Sequence, residues 1–198
     1  MGPITRFDTT GFRTAQGGTV DEVRLERELR RLGAGGSSLR RLGVDTRMLI
    51  WALATALRES GLEPSGALDA VVGTTLEGFW QGEGWYEQTA KRDVSKARPG
   101  RLLTFMAGSQ LAAAADLLGI PLQPMVVSNA CATGVSAIGR LFRRIRSGAC
   151  DAGIAGGYDT LTRFIQLGFD SLGALTSRRC APFDRDRSGF FIGDAAAM

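Results

Sequence analysis

The 198-residue sequence contains no histidine, and its three cysteines form no C-x-x-C pair. These absences leave almost no side chains from which a zinc or haem site could be built, so we expect neither a metal nor a cofactor. The unpaired cysteine spacing favours free thiols in a reducing compartment over a disulfide framework. The chain also lacks an N-terminal apolar segment and any long apolar run, which predicts a soluble, cytoplasmic protein outside the membrane.

Glycine and arginine are abundant instead. The 27 glycines are about twice the usual share of ~7% and predict many tight turns and close backbone approaches. Lysine and arginine total 24 against 20 acidic residues, for a net charge of +4. A basic surface could meet nucleic acid, an anionic membrane or an acidic protein, although solvated helix faces account for most arginine runs.

The most informative pattern lies in residues 124–148, PMVVSNACATGVSAIGRLFRRIRSG. Its apolar run predicts a buried strand, and a helical pattern follows and ends at Gly148. Cys131 therefore falls on a strand-to-helix turn, at or just before the helix N-terminus. The helix carries an apolar face and an opposite basic face, formed by Val135, Ile138, Phe142 and Ile145 and by Arg140, Arg143 and Arg144, respectively.

This position has chemical consequences for the thiol of Cys131. The positive end of the helix dipole and the unpaired N–H groups favour thiolate over thiol. The same N–H groups could receive an oxyanion when a carbonyl is attacked. The alternative is that Cys131 is a small buried hydrophobic residue, and its position alone leaves both interpretations open.

Helical and strand patterns alternate along the rest of the chain, which predicts an α/β layer fold with a mainly parallel sheet. Residues 81–101 show no clear period, so we expect a surface excursion or a subunit contact there. A helix capped by Asp45 or Thr46 should end at Gly61. The other expected elements are helices over 21–33, 103–118 and 162–175 and strands over 68–75 and 151–157.

Five separated blocks of the sequence resemble, in order, the landmarks of β-ketoacyl-acyl-carrier-protein synthases, which are ketosynthases of the thiolase superfamily. The resemblance implies an α/β, thiolase-like fold with a mixed, mainly parallel sheet and helices on both faces. Residues 1–198 would be the N-terminal domain, an incomplete half lacking the first strand and the C-terminal half. The blocks are PITRFDTTGF, VVSNACATGVSAIG, AGGYD, GFDSLGAL and APFDRDRSGFFIGDAAAM.

The resemblance also implies roles for individual residues. Cys131 would be the catalytic nucleophile that accepts the acyl chain from its carrier protein. Leu76 and Phe169 fall near positions where the family lines its acyl pocket, and they could equally be plain core residues. Cys150 and Cys180 match no catalytic position of the family and are expected to be ordinary thiols.

By resemblance the chain is an acyltransferase of the 3-oxoacyl-acyl-carrier-protein synthase type. Acyl transfer to Cys131 would precede decarboxylative condensation with malonyl-carrier protein, in fatty acid or polyketide biosynthesis. The implied partners are the acyl carrier protein and a second ketosynthase chain, in a homodimer or heterodimer, with no nucleic acid and no membrane. The family's catalytic histidines and lysine lie in the C-terminal half, so the isolated chain is expected to be inactive.

Two other functions are compatible with the composition. The chain could be a non-catalytic pairing or acyl-carrier-binding subunit that meets an acidic carrier through Arg140, Arg143 and Arg144. It could also be a basic nucleic-acid binder, which is disfavoured because the arginine cluster has no interleaved exposed aromatics and no recognised motif.

Overall fold

The computed structural model describes residues 1–33, 39–63, 66–90 and 103–198. They form two compact units, one of residues 1–20 and 160–194 and the other of residues 21–159 and 195–198. No helix of the described ranges is long and apolar enough to cross a membrane. The elements are β1 Gly2–Pro3, β2 Gln16–Gly17, α1 Glu22–Arg31, α2 Val44–Ser60, β3 Leu68–Gly73, α3 Phe79–Ala90, α4 Ala107–Leu118, β4 Leu122–Val127, α5 Thr133–Arg146, β5 Gly153–Asp159, α6 Arg163–Ser171 and β6 Ala195–Ala197, with 3₁₀ turns at Leu39–Arg41 and Ala130–Ala132.

The larger unit is built on a sheet with the strand order β4-β3-β5-β6. β3 is parallel to both β4 and β5, while β6 runs antiparallel to β5. In this register Val71 of β3 lies opposite Met125 on one side and Ala155 on the other. The predicted mainly parallel α/β sheet is therefore confirmed.

Helices cover both faces of this sheet. Val71 packs against Ala137 and Leu141 of α5. Ala155 of β5 packs against the same cluster, and Tyr158 lies three positions further along this strand. Because successive strand residues point to opposite faces, Tyr158 lies on the other face of the sheet. There it donates a hydrogen bond to the Gln110 side chain of α4. The two faces thus carry different helices, as expected from the alternation of elements.

The cap predicted for the second helix is wrong, although its end at Gly61 is confirmed. The helix begins at Val44 with Gly43 as its N-cap, and Gly61 closes it in the left-handed conformation. Asp45 lies fully buried in the first turn, where its carboxylate accepts a hydrogen bond from Gln81 Nε2 at 2.7 Å. A tertiary contact with α3 therefore uses the carboxylate that was expected to cap the helix.

The surface location expected for residues 81–101 holds for the described part, which lies in a regular helix, α3 Phe79–Ala90, with no fully buried residue. Two glycines and several large aromatics interrupt its amphipathic pattern. The ring of Phe79 packs on Phe105 with centroids 5.3 Å apart. The remainder of that prediction, residues 91–101, falls outside the described residues. The helix expected at 103–118 begins at Ala107, and Met106 is exposed.

α5 ends at Arg146 and Gly148 adopts a positive φ, as predicted. Its apolar face, however, is not the face that packs on the sheet. The buried residues are Thr133, Ala137 and Leu141, whereas the exposed set is Val135, Ile138, Phe142 and Ile145.

Glycines on the sheet explain this orientation of α5. A Cβ at Gly73 would lie 2.7 Å from Thr133 Cγ2, and one at Gly153 would lie 2.6 Å from Leu141 Cδ1. The glycines therefore let the face of Thr133 and Leu141 approach the strands very closely. We call the exposed set Val135, Ile138, Phe142 and Ile145 the apolar stripe of α5.

The smaller unit contains α6 and the antiparallel pair β1–β2. The buried carboxylate of Asp194 pairs with Arg6 at 2.8 Å and accepts the amides of Val20 and Leu161, both at 2.7 Å. α6 is capped by the Thr162 hydroxyl, so the helix predicted within 162–175 is confirmed over a shorter range. Charge-assisted bonds to one carboxylate thus hold three separated stretches of this unit together.

Candidate functional site

Cys131 lies in the 3₁₀ turn between the end of β4 at Val127 and the start of α5 at Thr133. The predicted strand-to-helix position is therefore confirmed. The side chain is exposed, which removes the alternative that this cysteine is a small buried hydrophobic residue. Its thiol is open to solvent.

The residue before the cysteine has an unusual backbone. Ala130 has a φ of +45°, in the left-handed region that residues with a Cβ rarely occupy. Its carbonyl accepts hydrogen bonds from two hydroxyls, Thr133 Oγ1 at 2.5 Å and Thr75 Oγ1 at 3.1 Å. Strained conformations persist where surrounding contacts hold them, and these two bonds hold this one.

The N-terminus of α5 faces the same turn. Its N-cap residue, Ala132, makes no side-chain capping bond. A helix N-terminus carries partial positive charge and directs N–H groups outward, so it stabilises nearby anions. This geometry can support an oxyanion formed beside Cys131.

A second loop, directly after β3, borders the turn. The hydroxyl of Thr75 in this loop contacts both the Ala130 carbonyl and, at 3.3 Å, Thr133 Oγ1. The next residue, Leu76, is buried, and its amide donates to the Asp159 carboxylate at 2.9 Å. The structure therefore joins the loop of Leu76 to the turn of Cys131.

Phe169, the other residue expected near an acyl pocket, belongs to the smaller unit. It lies in α6, is half-buried, and packs edge-to-face on Phe190 with ring centroids 5.3 Å apart.

The other two cysteines, Cys150 and Cys180, are free and only partly exposed. Cys150 packs against the cluster of Val71, Ala137 and Leu141. Desolvation, followed by a hydrogen bond to the Asp69 carboxylate and its charge, raises the pKa of the Cys150 thiol. Its environment therefore disfavours the thiolate, which is the reactive form.

Two arginines on the basic face of α5 make contacts with the sheet. Arg144 is half-buried and forms an ion pair with Asp69 at 2.8 Å, and Arg140 Nε lies 2.6 Å from Met125 Sδ. Arg144 shares the helix face of Ala137 and Leu141, which packs on the sheet. Arg144 therefore contacts the sheet, and Arg140 and Arg143 are the exposed members of the predicted basic face.

Sequence inspection missed Thr75 and Asp159. Thr75 follows β3 and Asp159 ends β5, and β3 is parallel to both β4 and β5, so the carboxyl ends of the three strands lie at the same end of the sheet. Polar residues at the carboxyl ends of parallel strands are the usual place for binding and catalytic groups in α/β folds. That rule could have found them, but only once the strand order was known.

Comparison with known proteins assigns this architecture. The family described as β-ketoacyl synthase, N-terminal domain, matches residues 5–198. The 3-oxoacyl-[acyl-carrier-protein] synthase 2 of Vibrio cholerae is 27% identical over 210 residues, covering 98% of this chain and 49% of the relative. The chain thus spans about half the length of the curated relatives that it matches.

Solved structures give the same fold. The ishigamide ketosynthase/chain length factor superposes with a TM-score of 0.84 and 30% identity, over 98% of this chain and 48% of that one. A type II PKS acyl-carrier protein in complex with its ketosynthase, AntDE:AntF, gives 0.73 and 22% identity, over 94% and 46%. The fold is therefore thiolase-like, and the chain belongs to the β-ketoacyl synthase N-terminal domain family.

Proposed function

We propose that this chain is the cysteine-bearing half of a β-ketoacyl-acyl-carrier-protein synthase and that Cys131 is its nucleophile. The observation that carries the proposal is an exposed thiol in a strained turn, beside the uncapped N-terminus of α5. The family assignment supports the same chemistry for fatty acid or polyketide synthesis.

The first step transfers the acyl group. The Cys131 thiolate attacks the carbonyl of an acyl thioester on the carrier protein, and a new carbon–sulfur bond forms. The bond to the pantetheine sulfur then breaks, and the departing thiolate takes the proton given up by Cys131. The developing oxyanion is stabilised by N–H donors of the kind found at a helix N-terminus.

The second step, in the complete enzyme, extends the chain by two carbons. Malonyl-carrier protein loses CO₂, and the electron pair of the broken bond forms a carbanion that attacks the acyl–Cys131 carbonyl. The Cys131 thiolate then leaves. Imidazole donors stabilise the enolate in the family, and no histidine is present in this sequence.

Leu76 is proposed as a residue against which the acyl chain lies, and Phe169 is a separate candidate. Support for Leu76 comes from its burial and from the Thr75 contact that joins its loop to the Cys131 turn, while Phe169 rests on the resemblance alone. The proposed partners are an acyl carrier protein, as the name of the Vibrio cholerae relative indicates, and a second ketosynthase chain in a homodimer or a heterodimer of the ketosynthase/chain length factor kind. We place this activity in the cytoplasm.

The test is acyl transfer itself. The purified chain is incubated with octanoyl-carrier protein, and the mass of each cysteine-containing peptide is measured. We expect the octanoyl group on Cys131 and none on that peptide in the Cys131→Ser variant. Carrier binding without acylation of Cys131 would favour the alternative of a non-catalytic, carrier-binding subunit.

A further inference from the structure

Three chain segments meet around the peptide group that precedes Cys131: the end of β5, the loop after β3 and the turn itself. We propose that Thr75 and Asp159 are positioning residues for Cys131, with Asp159 fixing the loop and Thr75 holding the Ala130 carbonyl. The inference rests on the proposed function, in which Cys131 is the nucleophile.

The Asp159 carboxylate organises the loop after β3. Its Oδ1 atom accepts the Thr74 hydroxyl at 2.9 Å, the Thr75 amide at 3.0 Å and the Leu76 amide at 2.9 Å. Hydrogen bonds to an ionised acceptor are stronger than those between neutral groups. One side chain from the end of β5 therefore binds three consecutive residues, two of them through their backbone amides.

Thr75 connects this loop to the turn that contains Cys131. With its amide held by Asp159, its hydroxyl reaches the Ala130 carbonyl at 3.1 Å. Thr133, which is almost fully buried, donates to the same carbonyl and accepts the Asn129 amide at 2.7 Å. The Ala130 carbonyl is thus held both from the start of α5 and from the loop after β3.

The consequence concerns the orientation of Cys131. Ala130 occupies the left-handed region, and such a conformation relaxes when the bonds that hold it are removed. If the Ala130 peptide rotates, the Cys131 thiol and N–H group move relative to the N-terminus of α5. A merely structural role would instead lower stability and change all three thiols alike.

The experiment measures iodoacetamide alkylation of each cysteine in the 198-residue chain by quantitative mass spectrometry. Thr75→Val removes the hydroxyl with little change of shape, and Thr75→Ser keeps it. We expect Thr75→Val to slow Cys131 alkylation about three- to tenfold, the factor that corresponds to one net hydrogen bond. Thr75→Ser should stay within about twofold of the parent, and Cys150 and Cys180 should be unchanged in both.

Asp159→Ala should also slow the alkylation of Cys131. Because Asp159 acts on Cys131 through Thr75, adding Thr75→Val to Asp159→Ala should slow Cys131 alkylation by a smaller factor than Thr75→Val does in the parent. Asp151→Ala is the matched control, since it removes an exposed carboxylate next to the opposite end of β5.

The outcomes separate the two proposals. A parent Cys131 no faster than Cys180 would overturn both the nucleophile assignment and the positioning role. A fast parent Cys131 that is unchanged by Thr75→Val would overturn only the positioning role. Equal changes at all three cysteines, together with a lower thermal midpoint in both Thr75 variants, would also overturn it.

Discussion

At the scale of single residues, the three thiols of this chain have different environments. Cys131 is exposed beside a helix N-terminus, while Cys150 and Cys180 are partly covered. For Cys150, desolvation and the Asp69 carboxylate raise the pKa of the thiol. Exposure therefore favours reaction at Cys131, and the Asp69 carboxylate further disfavours reaction at Cys150.

We predict that Cys131 is modified first when the folded chain meets substoichiometric iodoacetamide. Brief treatment followed by peptide mass spectrometry gives the order of labelling. The Cys131→Ser variant provides the control, because it should leave only slow labelling at the other two sites. Faster labelling of Cys150 or Cys180 in the parent would contradict the assignment of the nucleophile.

A buried carboxylate gives a second prediction at this scale. Burial raises the pKa of Asp45, an effect that hydrogen bonds from Gln81, Thr46 and Gln110 only partly offset. The folded state therefore holds this proton more tightly than the unfolded state, whose carboxyl titrates near ~3.9. The contribution to stability is full below that pH and is lost as the pH rises through the folded-state pKa.

Asp45→Asn should remove this pH dependence. Relative to the parent, the thermal midpoint of the variant should rise as the pH increases from about 4 to 7. The quantity compared is the slope of the thermal midpoint against pH. The amide introduced at position 45 faces the Gln110 amide, and this contact changes the midpoint by the same amount at every pH. Asp116→Asn, at an exposed position of α4, is the control, and parallel slopes for Asp45→Asn and the parent would disprove the prediction.

At the scale of elements, α5 shows what an amphipathic pattern can and cannot reveal. The pattern located the helix and its end at Gly148. It could not tell that Gly73 and Gly153 let the face of Thr133 and Leu141 approach the strands closely, while the apolar stripe stays exposed in this chain. A contiguous exposed apolar surface of this kind promotes association.

We predict that the apolar stripe binds a hydrophobic dye. The Val135→Gln/Ile138→Gln variant should give weaker anilinonaphthalenesulfonate fluorescence and higher solubility, with an unchanged thermal midpoint, because both side chains are exposed. Leu141→Ala on the buried face should instead cost about 2–5 kcal/mol of stability. Equal dye binding by the double variant and the parent would show that another surface binds the dye.

Other elements mark the limit of prediction from sequence. The short strands β1, β2 and β6 show no local pattern, and β4, expected to be buried, is a partly exposed edge strand. Strands β3 and β5, the helix end at Gly61 and the turn of Cys131 follow from local patterns and could be predicted. α3 could not, because Gly82 and Gly84 hide its periodicity and its Gln81 depends on the buried Asp45. Asp159 is 84 residues away from Thr75 in the chain, so only the parallel pairing of β3 with β5 brings them together.

At the scale of the whole molecule, acylation and condensation have different requirements. The groups proposed for acylation, Cys131 and the N-terminus of α5, both lie in the larger unit. Condensation also needs donors for the enolate, and the family uses imidazoles there. With zero histidines in the sequence, the two half-reactions should separate in this chain.

The final prediction is that the chain alone is acylated but does not elongate. Loss of one oxyanion donor typically costs ~10²–10³ in rate, and this chain lacks every imidazole. The purified chain is given octanoyl- and malonyl-carrier protein, and products are analysed by mass spectrometry. We expect octanoyl–Cys131 without a product two carbons longer. Elongation at a typical enzyme rate of ~1–10³ s⁻¹ would show that residues of this chain replace the imidazoles, whereas release of CO₂ without elongation would locate the missing function in carbon–carbon bond formation.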